Sequence, residues 1–442
     1  MPQNNAMPKG LSFTTHHDLP VEIHDNLRAY VSELSEVVEE KSDDYSTPPH
    51  ALQLPADAHI MEEVAIAAKR YSSPHLKYVL VIGIGGSYLG TKAVYDALVG
   101  GEYGGSAQRT KLLFLETFSP QALENVNRIL ATEVHSSNEL LINLISKSGT
   151  TTEPIANFQL LYGDLSKRFS DIATRVVCTT DVGSALWIEG ARLGFGLLSV
   201  PTHVGGRYSV FSSVGLFPLL LAGVDVDGFR EGGKDMLQAV LSLDEKKNYA
   251  VRSAQEMFSA LSLGCSMFNI FHFNPELESL GKWERQLIAE SIGKEKDLSG
   301  KVVYAGITPI VSIGSSDLHS MVQLYLGGPR DKFTMFVRAE VPTDPRIDPR
   351  GVCGTLVEGT TGKTSSEIME AILSGVMHAY EKHHLPFSEA RLPEISNYSI
   401  GLYMEWRMAT VIYLAKLMNV NAFDQPNVED YKKKTRELLL AH

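Results

Sequence analysis

Hydrophobic residues in the first two hundred positions fall into short, nearly continuous runs separated by amphipathic stretches. A continuous run of about five or six apolar residues is typical of a strand buried on both faces of a parallel sheet. Such runs predict strands at Tyr78–Ile82, Lys111–Glu116, Leu140–Ile145, Arg175–Thr179 and Gly196–Val200. Helical patterns lie between most of them. Strands that alternate with helices predict a doubly wound α/β fold, whose ligands bind at the carboxyl ends of the strands.

The second half of the chain repeats this alternation. Strands are predicted at Met267–Phe273, at either Val302–Ile307 or Ile310–Ile313, and at Phe333–Ala339. Helices are predicted at 212–222, 247–262, Glu276–Ser291, 316–325 and 364–383. We therefore expect two similar α/β domains with parallel sheets, flanked by two smaller segments. The predicted order is an N-terminal extension (1–50), a first domain (51–203), a second domain (204–394) and a C-terminal helical arm (395–442).

A loop rich in hydroxyl groups follows the predicted strand Leu140–Ile145. Residues 146–152 read SKSGTTT, and Pro154 opens a helical pattern in which Thr150 and Glu153 have capping-box spacing. The free N–H groups and the dipole at a helix N-terminus favour an anion, and the hydroxyls would suit a phosphate monoester. Serine and threonine are also common in ordinary turns, so this loop by itself leaves both interpretations open.

A glycine-rich loop, GIGGSYLG, follows the first predicted strand. It resembles two nucleotide-binding fingerprints without matching either. The dinucleotide pattern requires a third glycine where Tyr88 stands, and the P-loop pattern requires a lysine where Thr91 stands. The sequence therefore supports neither a nicotinamide enzyme nor an ATPase.

With both nucleotide-binding fingerprints rejected, the sequence predicts a tight turn for the glycine loop. It would let the backbone at Gly85 and Gly86 approach a ligand, with Ser87 placed to cap the next helix. A purely structural turn is the alternative. Both special loops lie at the carboxyl ends of predicted parallel strands, where doubly wound sheets bind ligands, and this agreement favours a phosphate site.

Composition narrows the class of protein. The 442 residues are 44% hydrophobic and carry a net charge of −12, which indicates a globular protein and argues against nucleic acid or an anionic membrane as partner. The three cysteines, Cys178, Cys265 and Cys353, are widely spaced and form no metal motif. The N-terminal residues do not resemble a signal peptide, and no apolar run is long enough for a membrane span. We expect a cytoplasmic protein without a metal site or cofactor.

Five motifs occur in an order that resembles the phosphoglucose isomerase family. They are GIGGSYLG, SKSGTT, VGGRYSVFSSVG, QLIAESIGK and FDQPNVEDYKK, which span roughly residues 78–433. The resemblance implies two sugar isomerase (SIS) domains, in agreement with the alternation of strands and helices. It also implies reversible isomerisation of glucose 6-phosphate and fructose 6-phosphate through ring opening and an enediolate, without a metal.

The resemblance implies a role for each matching residue. Glu290 would be the base that moves a proton between C1 and C2, and Arg207 would lie beside the enediolate. His319 would open the sugar ring with the help of Lys432, and Gln425 would contact the substrate. His319 would enter the site of a neighbouring subunit in a homodimer. The implied phosphate-binding positions are Ser87, Ser146, Lys147 (through its backbone), Ser148 and Thr151.

Local chemistry is consistent with two of these roles. Glu290 would lie at the end of an amphipathic helix, where the negative end of the dipole favours a protonated carboxyl, as suits a general base. Arg207 follows two glycines, which would let its guanidinium approach a ligand and hold developing negative charge. The local patterns alone would make Glu290 and Arg207 ordinary surface residues. The same is true of His319 and Lys432.

The sequence also departs from the family pattern. Ile292, Leu318 and Asn427 replace residues that are more usual there, and the segment between Glu290 and His319 is longer than in other short members. These departures bear on the substrate range and on the alignment of His319. Two other functions stay open: an isomerase that also accepts mannose 6-phosphate, and a non-catalytic SIS-domain sensor of sugar phosphates. A sensor would need the two loops, but it would have no use for Glu290.

Overall fold

The computed structural model describes residues 10–17, 25–39, 45–100, 110–244, 246–341, 344–354 and 356–441. The strands of this part of the chain are β1 (Ser12–Thr15), β2 (Tyr78–Ile82), β3 (Lys111–Leu115), β4 (Leu140–Ile145), β5 (Val176–Thr180), β6 (Gly196–Ser199), β7 (Met267–His272), β8 (Lys294–Lys296), β9 (Val302–Ala305), β10 (Thr308–Ile313), β11 (Lys332–Ala339) and β12 (Phe387–Leu392).

Its α-helices are α1 (Asp25–Glu39), α2 (Ala58–Tyr71), α3 (Leu89–Val99), α4 (Pro120–Glu133), α5 (Thr152–Arg168), α6 (Ala185–Leu193), α7 (Ser213–Leu221), α8 (Val226–Val240), α9 (Tyr249–Ser262), α10 (Glu278–Ile292), α11 (Val322–Gly327), α12 (Ser365–Lys382), α13 (Asn397–Leu417) and α14 (Glu429–Leu440). Short 3₁₀ turns connect several of them.

The first sheet is parallel throughout and has the order β3-β2-β4-β5-β6. Its central strands β2 and β4 are fully buried, because helices cover both faces. The strand order reverses between β2 and β4, and doubly wound sheets bind ligands at such a switch point. The glycine loop follows β2 and the hydroxyl loop follows β4. The two predicted loops therefore flank the same point of the sheet.

The second sheet has the order β1-β12-β11-β7-β10. Its last four strands are mutually parallel, and β1 pairs antiparallel with β12. The doubly wound α/β class predicted from the alternation is thus confirmed. Residues 12–15, which the sequence assigned to an N-terminal extension, are instead an edge strand of the second sheet.

Helix α13 is the most deeply enclosed of the long helices described. Every residue from Ser399 to Ala415 is buried, and the helix packs against α8, α9 and α10. A helix that is apolar all round belongs in a core rather than on a surface. The predicted C-terminal arm therefore contains a central core helix, and α14 is the exposed part of it. The boundaries of the four predicted segments remain predictions.

Several local predictions need correction. The alternatives for a strand near residue 305 both exist, since β9 pairs with β8 in a separate hairpin and β10 joins the second sheet. Helix α8 was not predicted. The helix expected at 316–325 is a 3₁₀ turn followed by α11. Among the described residues, no helix is long and apolar enough to cross a membrane.

Candidate active site

Helix α10 brings Glu290 to the site in its last turn. The helix forms because Leu280, Trp283 and Leu287 recur on one face and are fully buried. The Glu290 side chain remains 35% exposed, so its carboxylate faces open space. Its Oε1 accepts a hydrogen bond from Gln286 Nε2 at 2.8 Å, one helical turn earlier.

A buried ion pair anchors the same helix from its inner face. Arg407 Nε of α13 donates to Glu284 Oε1 at 2.7 Å, and both side chains are inaccessible to solvent. Tyr403 donates its hydroxyl proton to the other carboxylate oxygen, and Ser253 accepts from Arg407. Every charged group in this cluster therefore has a partner, as a buried ion pair requires. The cluster fixes α10 against the central core helix.

Arg207 is buried, with 1% of its surface exposed, and it contacts the end of α10. Its Nη1 donates to Glu290 Oε2 at 3.2 Å, and its Nε donates to Ser291 Oγ at 2.8 Å. The ordinary expectation for an arginine after a turn, a solvated side chain, is wrong here. Because a guanidinium cannot be neutralised, its charge is fixed beside Glu290.

The loop 421–427 supplies the remaining partners of Arg207. Nη1 donates to Gln425 Oε1 at 2.8 Å, and Nη2 donates to the carbonyl oxygens of Ala422 and Asp424 at 2.7 and 3.2 Å. An arginine has five N–H donors. All of them are engaged within the chain, so a ligand that binds Arg207 must displace one of these acceptors.

Lys294 ties the same loop to α10. Its Nζ donates to the carbonyl oxygen of Glu290 at 2.7 Å and to the carbonyl oxygen of Asp424, and it lies 3.1 Å from Asp424 Oδ1. The side chain is only 4% exposed. Burial lowers the pKa of Lys294, and the nearby charge of Arg207 lowers it further, whereas the hydrogen bond to Asp424 opposes these effects.

The glycine loop lies directly against the Arg207 segment. A Cβ at Gly86 would come within 2.1 Å of the Gly206 carbonyl carbon and 2.5 Å of the Arg207 nitrogen. Gly85 has a φ of +57°, and a Cβ there would meet Gln286 Nε2 at 3.0 Å. Close approach to protein backbone therefore requires glycine at position 86, and the positive φ favours glycine at position 85. The predicted approach of this backbone to a ligand remains a prediction. Ser87 is half-buried and does not cap α3, because Tyr88 precedes the first residue of that helix.

The hydroxyl loop after β4 is tightly folded. Ser146 is buried, and its hydroxyl lies 2.9 Å from the hydroxyl of Thr151, the residue just before α5. The predicted capping box of Thr150 is wrong, because α5 begins two residues later and Thr150 bonds Ser148 instead. Ser148 is exposed, so its hydroxyl is accessible at the helix N-terminus. The loop thus presents hydroxyls where an anion is favoured.

Gly149 lets the hydroxyl loop pack closely against α6, and Lys147 relates the loop to charged groups nearby. Gly149 has a φ of +71°, and a Cβ there would lie 2.6 Å from the Leu186 nitrogen. Burial lowers the pKa of Lys147, the charge of Asp181 opposes that shift, and the charge of Arg207 adds to it. The hydroxyl loop therefore lies within electrostatic reach of Arg207.

Two predicted catalytic residues are not joined to this group. His319 follows the 3₁₀ turn after β10, is exposed, and within the described residues makes no side-chain hydrogen bond or ion pair. Lys432 lies on α14 and bonds Glu429 at 2.8 Å. The structure of the single chain thus brings Arg207, Glu290 and Gln425 together and leaves His319 and Lys432 outside.

Sequence reasoning missed three residues of the site: Gln286, Ser291 and Lys294. Gln286 stands four positions before Glu290, and that spacing on a helix places the two side chains on the same face. The spacing could have indicated Gln286, whereas Lys294 lies beyond the end of α10, on β8. Ser291 had no such signal, because its importance depends on the distant Arg207.

The described residues show no group of three His, Cys, Asp or Glu side chains that could hold a metal ion. A cavity of about 430 Å³ lies at the carboxyl ends of β7 and β11, lined by Asn274, Glu276 and Arg338 among others. It contains none of the residues predicted for the site.

The sequence of this chain is similar to a known family of proteins. The family model for phosphoglucose isomerase matches residues 56–341. Glucose-6-phosphate isomerase of Leptospira biflexa serovar Patoc is 32% identical over 387 residues, which are 86% of this chain and 84% of that protein. The glucose-6-phosphate isomerase of Methanocaldococcus jannaschii is 31% identical over 355 residues, covering 80% of this chain and 82% of that protein.

Solved structures agree with the fold. A hypothetical protein from Thermus thermophilus matches with a TM-score of 0.83 and 28% identity, over 97% of this chain and 100% of that chain. A glucose-6-phosphate isomerase from Chlamydia trachomatis matches with a TM-score of 0.78 over 97% of this chain and 88% of that chain, and its 22% identity supports the fold alone. On the family model and on relatives above 30% identity over most of its length, the chain belongs to the phosphoglucose isomerase family.

Proposed function

We propose that this chain catalyses the reversible isomerisation of glucose 6-phosphate and fructose 6-phosphate in the cytoplasm. The observation that carries the proposal is the Glu290 carboxylate. It is partly exposed and is held by Arg207 on one oxygen and by Gln286 on the other, and Gln286 lies against Gly85 of the glycine loop that follows β2. Aldose–ketose isomerisation requires one such carboxylate, fixed in position and accessible to the substrate.

Glu290 performs the proton transfer between carbon atoms. It removes the proton from C2 of the open-chain aldose, which leaves an enediol or enediolate, and it returns a proton to C1 to give the ketose. The reverse reaction uses the same group. Fixing the carboxylate on a rigid helix with two hydrogen bonds keeps it oriented toward both carbons.

Arg207 stabilises the negative charge that develops on the substrate oxygens. Its guanidinium is desolvated, so its interaction with charge is stronger than it would be in water. Because its five donors are already engaged, the substrate replaces one acceptor. Gln425 Oε1 is the most readily displaced, since its side chain is exposed and its oxygen is uncharged.

The phosphate group binds at the hydroxyl loop. Ser148 and the N-terminus of α5 face it, while the buried Ser146 hydroxyl, the half-buried Thr151 hydroxyl and the Lys147 backbone support the loop. The backbone at Gly85 and Gly86 and the Ser87 hydroxyl form the opposite side of the site. This division of contacts separates binding of the phosphate from chemistry at C1 and C2.

His319 and Lys432 take part in ring opening in a homodimer. His319 is exposed and is not joined to Glu290 within its own chain, as expected for a residue that serves the neighbouring subunit. Lys432 lies on the exposed helix α14. Its hydrogen bond to Glu429 is a surface contact and contributes little stability. The Lys432 ammonium can therefore exchange Glu429 for the substrate without losing a buried contact.

A coupled assay tests the proposal. Purified protein is supplied with fructose 6-phosphate, and formation of glucose 6-phosphate is followed through a dehydrogenase specific for that product. Turnover without added metal supports the proposal, and binding of sugar phosphate without turnover would indicate a sensor instead. Mannose 6-phosphate supplied in the same assay decides whether the enzyme has a dual specificity.

A further inference from the structure

We propose that the β8–β9 hairpin is a positioning element that holds the loop 421–427, and with it Gln425, against the end of the helix that carries the catalytic base. The inference rests on the proposed isomerase function for its kinetic consequences. The hairpin begins directly after α10, and its first residue, Lys294, stands four positions after Glu290. The position of the base and the position of the hairpin are therefore linked through a short stretch of backbone.

The middle of the loop is held by Lys294. Its ammonium group bridges the last turn of α10, through the carbonyl oxygen of Glu290, and the loop, through two oxygen atoms of Asp424. The side chain is 4% exposed, so these bonds are largely shielded from water. Losing the ammonium would remove the donor that joins the loop to the last turn of α10.

The two ends of the loop are held by other residues of the hairpin. Before the loop, Leu298 N donates to the carbonyl oxygen of Asn419 at 2.9 Å. At the last residue of the loop, Asn427 Nδ2 donates to Glu295 Oε2 at 3.0 Å. The hairpin thus contacts the segment before, within and after Gln425, and no single bond carries the whole attachment.

The consequence for the site is specific. Gln425 Oε1 accepts from Arg207 Nη1, and the loop carbonyls accept from Nη2. A loop released by the hairpin would leave Gln425 misplaced toward both Arg207 and substrate. Lys294 and Glu295 are positioning residues in this account, because they act through Gln425 and not on the reacting atoms.

The kinetic test is a double-mutant cycle between Lys294→Met and Gln425→Ala. We expect each single variant to lose about tenfold in kcat/KM, and the double variant to lie within about twofold of Gln425→Ala. Lys296→Met is the matched control, because Lys296 lies on the same strand with an exposed side chain, and it should stay within about twofold of the wild type. Losses that multiply to about a hundredfold in the double variant would overturn the proposal.

A structural readout separates this proposal from the isomerase function itself. Hydrogen exchange of the amides in residues 419–427 should be about tenfold faster in Lys294→Met than in the wild type or Lys296→Met. Unchanged exchange would overturn the proposal, whatever the activity. A wild type that is inactive on fructose 6-phosphate would overturn the proposed function, while exchange would still decide the role of the hairpin.

Two surface variants test the same attachment in case Lys294→Met does not fold. Glu295→Ala and Asn427→Ala remove the exposed bond at the end of the loop, and both should fold, since surface changes rarely cost much. Each should accelerate exchange in the loop, and the double variant should exchange no faster than the singles. Exchange that is additive or unchanged in this pair would show that the Glu295–Asn427 contact does not hold the loop.

Discussion

Arg207 Nη1 lies 3.2 Å from Glu290 Oε2, and the two side chains differ sharply in exposure. The arginine is 1% exposed and the carboxylate 35%. Arg207 precedes α7, and Glu290 lies in the last turn of α10, so the pair joins two segments that are 83 residues apart. The positive charge of Arg207 is therefore held inside the protein. The carboxylate of Glu290, the proposed base, remains accessible to a substrate.

Arg207→Lys should lower kcat/KM by about a hundredfold or more, because an ammonium cannot reproduce the planar set of donors. The protein should also lose stability, since the acceptors of loop 421–427 would be left without partners. Steady-state kinetics and thermal unfolding measure the two effects. Arg192→Lys, at an exposed arginine of α6, is the control. Wild-type kinetics in Arg207→Lys would exclude a role for the guanidinium.

Ser148→Ala and Thr151→Ala should each lower kcat/KM by about ten- to a hundredfold, because each removes a hydroxyl from the proposed phosphate site. Inorganic phosphate should inhibit the wild type competitively and should inhibit both variants more weakly. Ser166→Ala, on the exposed face of α5, provides the control. Equal inhibition of the wild type and both variants would place the phosphate elsewhere.

His272 should make stability depend on pH. Its ring is fully buried, neither nitrogen has a hydrogen-bond partner among the residues that the structure describes, and burial lowers its pKa from 6.5 to about 3. Because the unfolded chain binds the proton at higher pH, this group's contribution is present above pH 6.5 and is lost as the pH falls toward 3. Denaturant unfolding should show that His272→Asn removes about 1 kcal/mol per pH unit of this slope. The exposed His75→Asn should keep it, and an unchanged slope in His272→Asn would contradict the prediction.

Mixed dimers should reveal whether His319 serves the neighbouring subunit. Glu290→Gln and His319→Ala, each nearly inactive, are unfolded and refolded together in equal amounts. If the residues meet across a two-fold interface, about half of the dimers are mixed and have one intact site each, which restores about a quarter of wild-type activity. Activity equal to the mean of the parents, with mixed dimers shown to be present, would mean that each chain builds its own site.

The sequence predicted the sheets better than the surroundings of the site. Buried strands such as β2 and β4 are visible as apolar runs, and the loops after them follow from the chemistry of glycine and hydroxyl residues. Strand β1 is short, and its pairing with β12 depends on residues nearly four hundred positions away. No local pattern carries that information.

The sequence likewise indicated some residues of the site but not the contacts that surround them. The family resemblance indicated Glu290 and Arg207, and the structure brings them into contact. It could not indicate that Arg207 is buried with all its donors engaged, because Ser291 and loop 421–427 supply those partners from distant parts of the chain. The placement of His319 depends on a second subunit in our proposal, which one sequence does not describe.

The central claim is that Glu290 carries the proton between C1 and C2. Isomerisation of fructose 6-phosphate in heavy water, with deuterium in the glucose 6-phosphate followed by nuclear magnetic resonance, tests it directly. The account predicts deuterium at C2 with the wild type and with Glu278→Gln, an exposed position of the same helix. Glu290→Gln should show no detectable incorporation and a turnover lower by at least about a thousandfold, with KM little changed. Incorporation and a tenth of wild-type turnover in Glu290→Gln would show that another group is the base.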